Sequence, residues 1–192
     1  MINIGVLALQ GDFYEHITVL QSIGVKPRLV KLPRDLEGLI GLIIPGGEST
    51  TIGKLAETYD LITPLRQFGQ DHAIWGTCAG AIFLSKDAQR EQPLLSLMDI
   101  EVQRNAFGRQ VDSFEIDLKV PFLENGEARA YHAVFIRAPM IKSVYGKAET
   151  LLKLPDGAII AAKQGRLLAT SFHPELTEDD RFHRYFVELA QL

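Results

Sequence analysis

A cysteine between two glycines is the residue best placed for covalent chemistry. Cys78 is the centre of Gly76-Thr77-Cys78-Ala79-Gly80, which follows a short apolar strand and precedes an apolar helix. This G-x-C-x-G pattern is the thiol counterpart of a nucleophile elbow, whose glycines leave room for a sharp strand-to-helix turn. The start of the helix favours a thiolate at the turn. The alternative is a small buried apolar residue, the commoner role of a lone cysteine.

A histidine and a glutamate near the C-terminus could supply the base that a thiol nucleophile needs. His173 and Glu175 stand on either side of Pro174, just after an apolar strand. In extended backbone, residues two apart point to the same side, so the carboxylate is predicted to orient the imidazole. With Cys78 they predict a Cys-His-Glu triad. The alternative is a loop histidine beside a solvated carboxylate.

A glycine pair after another buried strand could stabilise an oxyanion. Gly46 and Gly47 follow Pro45 and precede Glu48. Glycine-rich loops of this kind present backbone N–H groups to the oxyanion in acyl-transfer enzymes. The N–H of Ala79, directly after the nucleophile, is the natural second donor. A plain tight turn is the alternative, and the absence of GxxxxGK[ST] excludes a phosphate-binding P-loop.

The other histidines do not indicate a metal site. His16 and His183 fall on the first and last predicted helices and are interpreted as helix-surface residues. Their spacing is not that of known metal-binding motifs. The sequence therefore predicts neither a metal nor another cofactor.

A βα alternation in the first half of the sequence positions these residues. Nearly continuous apolar runs at Ile2–Leu9, Leu39–Ile44 and Ala73–Trp75 predict strands that are covered on both faces, as in parallel sheets. A shorter strand is predicted at Arg28–Val30. Helices are predicted at 13–23, 49–59 and 61–70, the second capped by Ser49 or Thr50.

The alternation of predicted strands and helices ends at about Leu97. The closely spaced strands that follow imply antiparallel pairing. These strands are predicted at 100–104, 113–120, 128–138, 150–154, 158–163 and 167–172, with turns at 124–126, 155–157 and 164–165 and a final helix at 178–192. The pattern predicts an α/β fold: a three-layer open, mostly parallel doubly wound sheet with antiparallel additions in the second half. Residues 1–192 are predicted to form a single domain.

Composition excludes several classes of protein. The 192 residues carry 20 basic and 24 acidic side chains, a net charge of −4, which argues against a nucleic-acid or anionic-membrane surface. Cys78 is the only cysteine, so disulfide scaffolds, CxxC redox pairs and thiolate zinc sites within the chain are excluded. Neither a membrane-spanning apolar stretch nor a signal peptide is evident. We expect a cytoplasmic protein.

Together these motifs resemble the triad (class I) glutamine amidotransferases, which have a flavodoxin-like core. Longer strings resemble one branch of them, the glutaminase subunits of pyridoxal 5′-phosphate synthase. The resemblance spans the whole chain and is most specific in Gly-Gly-Glu-Ser-Thr-Thr and Phe-Ile-Arg-Ala-Pro. The matching segments are 5–11, 45–51, 104–110 and 134–139. His132 has no role that the resemblance implies.

The resemblance implies hydrolysis of L-glutamine to glutamate and ammonia through a thioester on Cys78. It assigns His173 as acid and base, Glu175 as its orienting group, and the N–H groups of Gly47 and Ala79 as the oxyanion hole. The implied substrate-binding residues are Gly46, Gly47, Glu48, Arg104, Ile136 and Arg137. A guanidinium suits glutamine's α-carboxylate, and a carboxylate suits its α-ammonium. Without the resemblance, Arg104 and Arg137 could equally be surface charges.

Ammonia released into water is protonated, so this activity calls for a partner that accepts ammonia directly. The resemblance implies a lyase-type synthase subunit, which assembles pyridoxal phosphate from pentose and triose phosphates, in a hetero-oligomeric complex. Gln10 and Gly11 end the first strand, where open α/β sheets present their binding face, and are expected to help form that interface. Alternatives are a glutaminase for another synthase, a γ-glutamyl thiol hydrolase, or a non-enzymatic thiol sensor.

Overall fold

A mixed sheet of ten strands forms the centre of the fold within the residues that the structure describes. The structure is a computed structural model that describes residues 2–104, 113–123 and 129–192. The strands are β1 (Asn3–Leu7), β2 (Lys26–Val30), β3 (Gly41–Ile44), β4 (Ala73–Thr77), β5 (Ser85–Asp87), β6 (Met98–Gln103), β7 (Ser113–Leu118), β8 (Tyr131–Ile136), β9 (Met140–Val144), β10 (Glu149–Lys153), β11 (Ile159–Gln164) and β12 (Leu167–Thr170). The helices are α1 (Phe13–Ser22), α2 (Ser49–Thr58), α3 (Ile62–Asp71), α4 (Ala79–Leu84) and α5 (Arg181–Ala190).

Five neighbouring strands are parallel, in the order β2-β1-β3-β4-β12. Every residue of β3, β4 and β12 is buried, which explains their continuous apolar sequences. The carboxyl ends of β1, β3, β4 and β12 therefore meet at one edge of the sheet. The four segments that leave this edge carry Gln10, the Gly46-Gly47 pair, Cys78 and His173.

The second half of the chain adds antiparallel strands, as predicted. From β12 the sheet continues through β11, β9 and β6, all antiparallel, and β10 pairs with β11. Strands β7 and β8 form a separate two-stranded sheet. The turns at Gly157 and Gly165 have φ values of 91° and 57°, which favour glycine. The predicted turn at 124–126 lies outside the described residues.

Among the described residues, two apolar cores lie on opposite faces of the sheet. One joins the sheet to α2, α3 and α4, with Ile52, Leu65 and Phe83 among its buried residues. The other joins it to α1, α5 and the β7–β8 sheet, with Leu20 and Phe186 among its members. Helices on both faces of a largely parallel sheet confirm the predicted three-layer α/β architecture.

Candidate active site

The turn between β4 and α4 has the strained geometry of a nucleophile elbow. Cys78 has φ 48° and ψ −109°, outside the regions that side-chain-bearing residues favour. Its N–H donates to the Thr170 carbonyl at 2.8 Å, which ties the turn to β12. A Cβ on Gly76 would lie 2.4 Å from the Gly80 carbonyl oxygen, and one on Gly80 would lie 2.0 Å from that of Ile44. Both glycines are therefore required by close backbone contacts.

His173 lies at the end of the neighbouring strand and belongs to the same cavity as Cys78. The backbone N–H of His173 donates to the Val134 carbonyl at 2.8 Å, and its ring nitrogen Nδ1 is 2.7 Å from Glu175 Oε1. Burial alone would lower the pKa of His173, but its interactions with Cys78 and Glu175 raise it to about 10. A protonated imidazole favours a thiolate beside it.

Glu175 reaches His173 by a different backbone path from the one expected. Pro174–Leu176 forms one 3-10 turn instead of an extended segment. The Glu175 side chain is fully buried behind His173. Burial raises the pKa of Glu175 above its usual value, although the hydrogen bond and charge of His173 oppose this rise. The structure thus brings the three predicted triad residues together.

Asp12 is a site residue that sequence reasoning missed. Its Oδ2 lies 3.7 Å from His173 Nδ1. Burial raises its pKa, while the charge of His173 lowers it. Asp12, His173 and Glu175 place potential metal-ligand atoms within 4.8 Å of one another. The 2.7 Å bond to Glu175 requires a proton on Nδ1, which would have to leave before a metal ion could bind there.

The glycine pair after β3 packs against the segment after β1. The Gly46 carbonyl accepts from the Asp12 N–H at 3.1 Å, so the Gly47 N–H, on the opposite edge of that trans peptide, points away from Asp12. Gly47 has φ 152°, and a Cβ there would lie 2.5 Å from Gln10 Oε1. Gly46 is buried behind the cavity wall, whereas Gly47 is exposed. Ala79 begins α4, so its N–H has no carbonyl partner within the helix.

Opposite charges meet at one wall of the cavity. Arg104 Nη1 lies 2.7 Å from Glu48 Oε1 and donates to Thr50 Oγ1 at 3.2 Å. Glu48, instead of the predicted Ser49 or Thr50, caps α2 because its carboxylate accepts from the Thr50 and Thr51 N–H groups. Burial alone would raise the pKa of Glu48, but these bonds and the charge of Arg104 lower it to about 2.

The end of β8 and the residue after it also line the cavity. Ile136 and Arg137 are both exposed, and Arg137 has φ 43°. The cavity is about 480 Å³ and opens to solvent. Its lining includes most of the predicted site residues, namely Gly47, Glu48, Cys78, Ala79, Arg104, Ile136, Arg137 and His173. Such a cavity, with a thiol at its base and paired charges at its wall, suits a small zwitterionic substrate with a cleavable acyl group.

Comparison with known proteins assigns the family. Residues 6–191 match the SNO glutamine amidotransferase family. The chain belongs to this family. It is 56% identical to the pyridoxal 5′-phosphate synthase subunit PdxT of Chloroflexus aurantiacus, covering 97% of this chain and 100% of that protein. The PdxT of Herpetosiphon aurantiacus is 57% identical with the same coverage.

A solved structure described as a glutamine amidotransferase agrees with this assignment. It superposes with a TM-score of 0.92 at 50% identity and covers 98% of this chain and 99% of its own. The resemblance inferred from the triad and the Gly-Gly-Glu-Ser-Thr-Thr string is therefore confirmed at the family level. Of the matching segment 104–110, only Arg104 is among the described residues.

The prediction that His16 and His183 lie on helix surfaces is wrong for this member of the SNO family. Both are completely buried, and His16 Nδ1 is 2.9 Å from His183 Nε2. His16 stands three residues after Phe13 and four before Leu20, so helical spacing does place it on the inner face. That spacing was the available signal.

His132 lies away from the cavity. It is exposed on β8, and its ring nitrogens lie 2.7 Å from Asp117 and 2.9 Å from Glu115.

In the part of the chain that the structure describes, no helix has the length and apolarity needed to cross a membrane.

Proposed function

We infer that the protein is the glutaminase subunit of a pyridoxal 5′-phosphate synthase, hydrolysing L-glutamine and supplying ammonia to the synthase. The observation that carries this inference is the strained Cys78 at an elbow beside a hydrogen-bonded His173–Glu175 pair. Membership of the SNO family and the names of the PdxT relatives support the same reaction and the same assembly.

In the proposed mechanism the Cys78 thiolate attacks the side-chain carbonyl carbon of glutamine. The N–H groups of Gly47 and Ala79 stabilise the oxyanion of the tetrahedral intermediate. His173 gives its proton to the departing nitrogen, so ammonia leaves and a γ-glutamyl thioester remains. Neutral His173 then takes a proton from water, which attacks the thioester and releases glutamate and the thiolate. Glu175 keeps the Nδ1 proton on the imidazole throughout.

Substrate binding is assigned to the charged wall of the cavity. We propose that Arg104 binds the α-carboxylate of glutamine and that Glu48 binds its α-ammonium. The 2.7 Å contact between these two side chains supports this, because it presents both charges at one place. Gly47, Ile136 and Arg137, which line the cavity, and Gly46, which lies behind its wall, complete the proposed pocket.

Ammonia transfer requires a partner, and we propose a lyase-type synthase subunit in a hetero-oligomeric complex. Gln10 is the proposed link to it. Its Oε1 accepts a hydrogen bond from the Glu48 N–H at 2.7 Å and lies against Gly47. A partner that moves Gln10 would therefore also move the Gly46-Gly47 segment, here called the oxyanion loop. We further propose that residues 1–192 act as one glutaminase domain.

Ammonia release tests the proposed function. The purified chain is incubated with glutamine, with and without the synthase subunit, and ammonia and glutamate are measured. We expect equal amounts of both, stimulation by the synthase subunit, and complete loss in Cys78→Ala. No release under either condition would reject a glutaminase, and activity on γ-glutamyl thiols in place of glutamine would favour a hydrolase.

A further inference from the structure

Two buried histidines lie directly behind the proposed triad. His16 Nδ1 and His183 Nε2 are 2.9 Å apart. On the other side of its ring, His16 Nε2 lies 3.4 Å from Glu175 Oε2 and 3.3 Å from Thr77 Oγ1. Glu175 uses its other oxygen, Oε1, for His173. An unbroken series of polar contacts thus runs from α5 through α1 to the triad.

Both buried rings are neutral at physiological pH. Burial lowers the pKa of His183 to about 3. Burial lowers the pKa of His16 well below its usual value, and proximity to the basic rings of His183 and His173 lowers it further. Each ring therefore carries one proton, and the 2.9 Å contact needs one donor and one acceptor.

The two possible arrangements differ in what faces Glu175 Oε2, which is a lone pair of His16 in one and an N–H of His16 in the other. If His16 Nδ1–H donates to His183, then a buried N–H on His183 Nδ1 is unpartnered and His16 Nε2 turns a lone pair toward Glu175 Oε2. If His183 Nε2–H donates instead, His16 carries its proton on Nε2, facing the carboxylate. His183 Nδ1 is then an acceptor without a partner, and His16 Nε2 also lies 3.3 Å from Thr77 Oγ1, while Glu175 Oε2 has no hydrogen bond of good geometry. The second arrangement is favoured because the positive end of an N–H dipole, instead of a lone pair, then faces this buried ionised oxygen 3.4 Å away.

We propose that His16, held in this tautomer by His183, is a positioning residue that directs its Nε2–H at Glu175 and keeps that carboxylate ionised and aligned on His173. The proposal rests on the proposed glutaminase function. Trp75 fixes both rings, with edge-on contacts at centroid distances of 5.8 Å to His16 and 5.1 Å to His183.

The other charged and titratable groups around Glu175 explain why a second donor matters. His173 favours the ionised form of Glu175. Asp12 and Tyr131, which belong to other parts of the fold, also lie close enough to interact electrostatically with the Glu175 carboxylate. Burial and the negative charge of Asp12 both raise the pKa of Glu175. A neutral N–H donor at Oε2 opposes this rise without adding a charge.

Substitution of His16 tests the proposal through the pH profile. His16→Leu removes the donor, so we expect kcat to fall by about tenfold or more. The acid limb of kcat/KM should move to higher pH, because Glu175 then protonates more easily, while KM stays unchanged. His16→Gln, whose amide can donate to Glu175, should recover part of kcat and return the acid limb of kcat/KM to its wild-type pH. Leu20→Ala, a buried change on the same helix, should lower Tm without moving the limb.

Nitrogen-15 NMR of histidine-labelled wild-type protein supplies a test that needs no variant. The proposal expects His16 to carry its proton on Nε2 and His183 to carry its proton on Nε2. A proton on His16 Nδ1, or an acid limb that does not move in His16→Leu, would overturn it. Because the NMR readout does not depend on turnover, this failure is distinguishable from loss of the proposed function, which would appear as wild-type protein that releases no ammonia.

Discussion

Strain and burial at single residues set the chemistry of the site. Cys78 holds a positive φ that costs on the order of 1–3 kcal/mol and persists because β4, β12 and α4 fix the turn. The pKa of His173 is raised to about 10 because its interactions with Cys78 and a buried carboxylate outweigh the effect of burial. The reactive state is thus a property of three neighbouring side chains.

Replacing the buried carboxylate should uncouple this arrangement. Glu175→Gln retains the shape of the side chain but removes its charge, so the pKa of His173 should fall from about 10. We expect kcat to fall by roughly 10²–10⁴-fold with little change in KM, as for other triads whose orienting acid is replaced. Histidine NMR titration and steady-state kinetics measure the two effects.

The exposed Glu178, three residues further on, provides a matched control. Glu178→Gln should leave both the His173 titration and kcat as in the wild type. An unchanged His173 pKa in Glu175→Gln would contradict the proposed coupling.

At the scale of elements, the Glu48 carboxylate links helix α2 to the wall of the cavity that is proposed to bind glutamine. Glu48 caps α2 and pairs with Arg104, so its pKa is about 2 in the folded protein against a usual 4.5. A group whose folded pKa is depressed adds stability above its unfolded pKa and loses it as pH falls.

The free energy of unfolding should therefore drop between pH 4.5 and about 2 in part through Glu48. Glu48→Gln should flatten this pH dependence, measured by denaturant titration, and raise KM for glutamine. Glu57→Gln, an exposed change on the same helix, should do neither. If the free energy of unfolding fell equally with pH in Glu48→Gln and in the wild type, Glu48 would not contribute to stability above pH 4.5 as proposed.

The elbow also depends on close contact between α4 and the end of β3. Helix propensity alone would make Gly80→Ala stabilising by about 1 kcal/mol. A Cβ there would lie 2.0 Å from the Ile44 carbonyl oxygen, so we expect net destabilisation of about 1–3 kcal/mol and reduced kcat. Thermal unfolding and glutaminase assays measure both.

Gly24→Ala is the control for this substitution. Gly24 has φ 78° with open space around it and precedes β2, at the edge of the sheet opposite the active site. Gly24→Ala should lower the free energy of unfolding because alanine disfavours this positive φ, and it should leave kcat unchanged. A stabilised, fully active Gly80→Ala would show that the contact with Ile44 is not restrictive.

Local sequence predicted the parallel strands and the residues at their ends, because buried strands are apolar throughout and glycines mark the turns. It did not predict β9, since Met140–Val144 mixes polar and apolar residues beside the two-stranded sheet. Nor did it place Asp12 or the buried His16–His183 pair. Helical spacing places His16 on the inner face of α1, but the contacts of Asp12 with His173 and of His16 with His183 join parts of the chain that are distant in sequence.

At the scale of the whole molecule, the order of the strands assembles the site. Segments after β1, β3, β4 and β12 converge because these strands are neighbours in the parallel part of the sheet. The segment after β1 carries Gln10, which contacts both Gly47 and the Glu48 N–H. A partner that docks at this edge would act on the oxyanion loop directly.

Gln10→Ala should therefore weaken coupling to the synthase subunit more than basal hydrolysis. We expect the ratio of partner-stimulated to basal ammonia release to fall by about tenfold, the effect of losing roughly 1.4 kcal/mol of coupling. Binding of the synthase subunit is measured in parallel, so that loss of docking is separated from loss of stimulation. Full stimulation in Gln10→Ala would exclude Gln10 as the link.

Covalent trapping of the nucleophile tests the central claim most directly. The wild-type protein is treated with a glutamine-like electrophile, and the adduct is located by peptide mass spectrometry. We predict one adduct, on the peptide that contains Cys78, which excess glutamine prevents and which forms far more slowly in His173→Ala. Undiminished glutamine hydrolysis by protein fully modified at Cys78 would contradict the account.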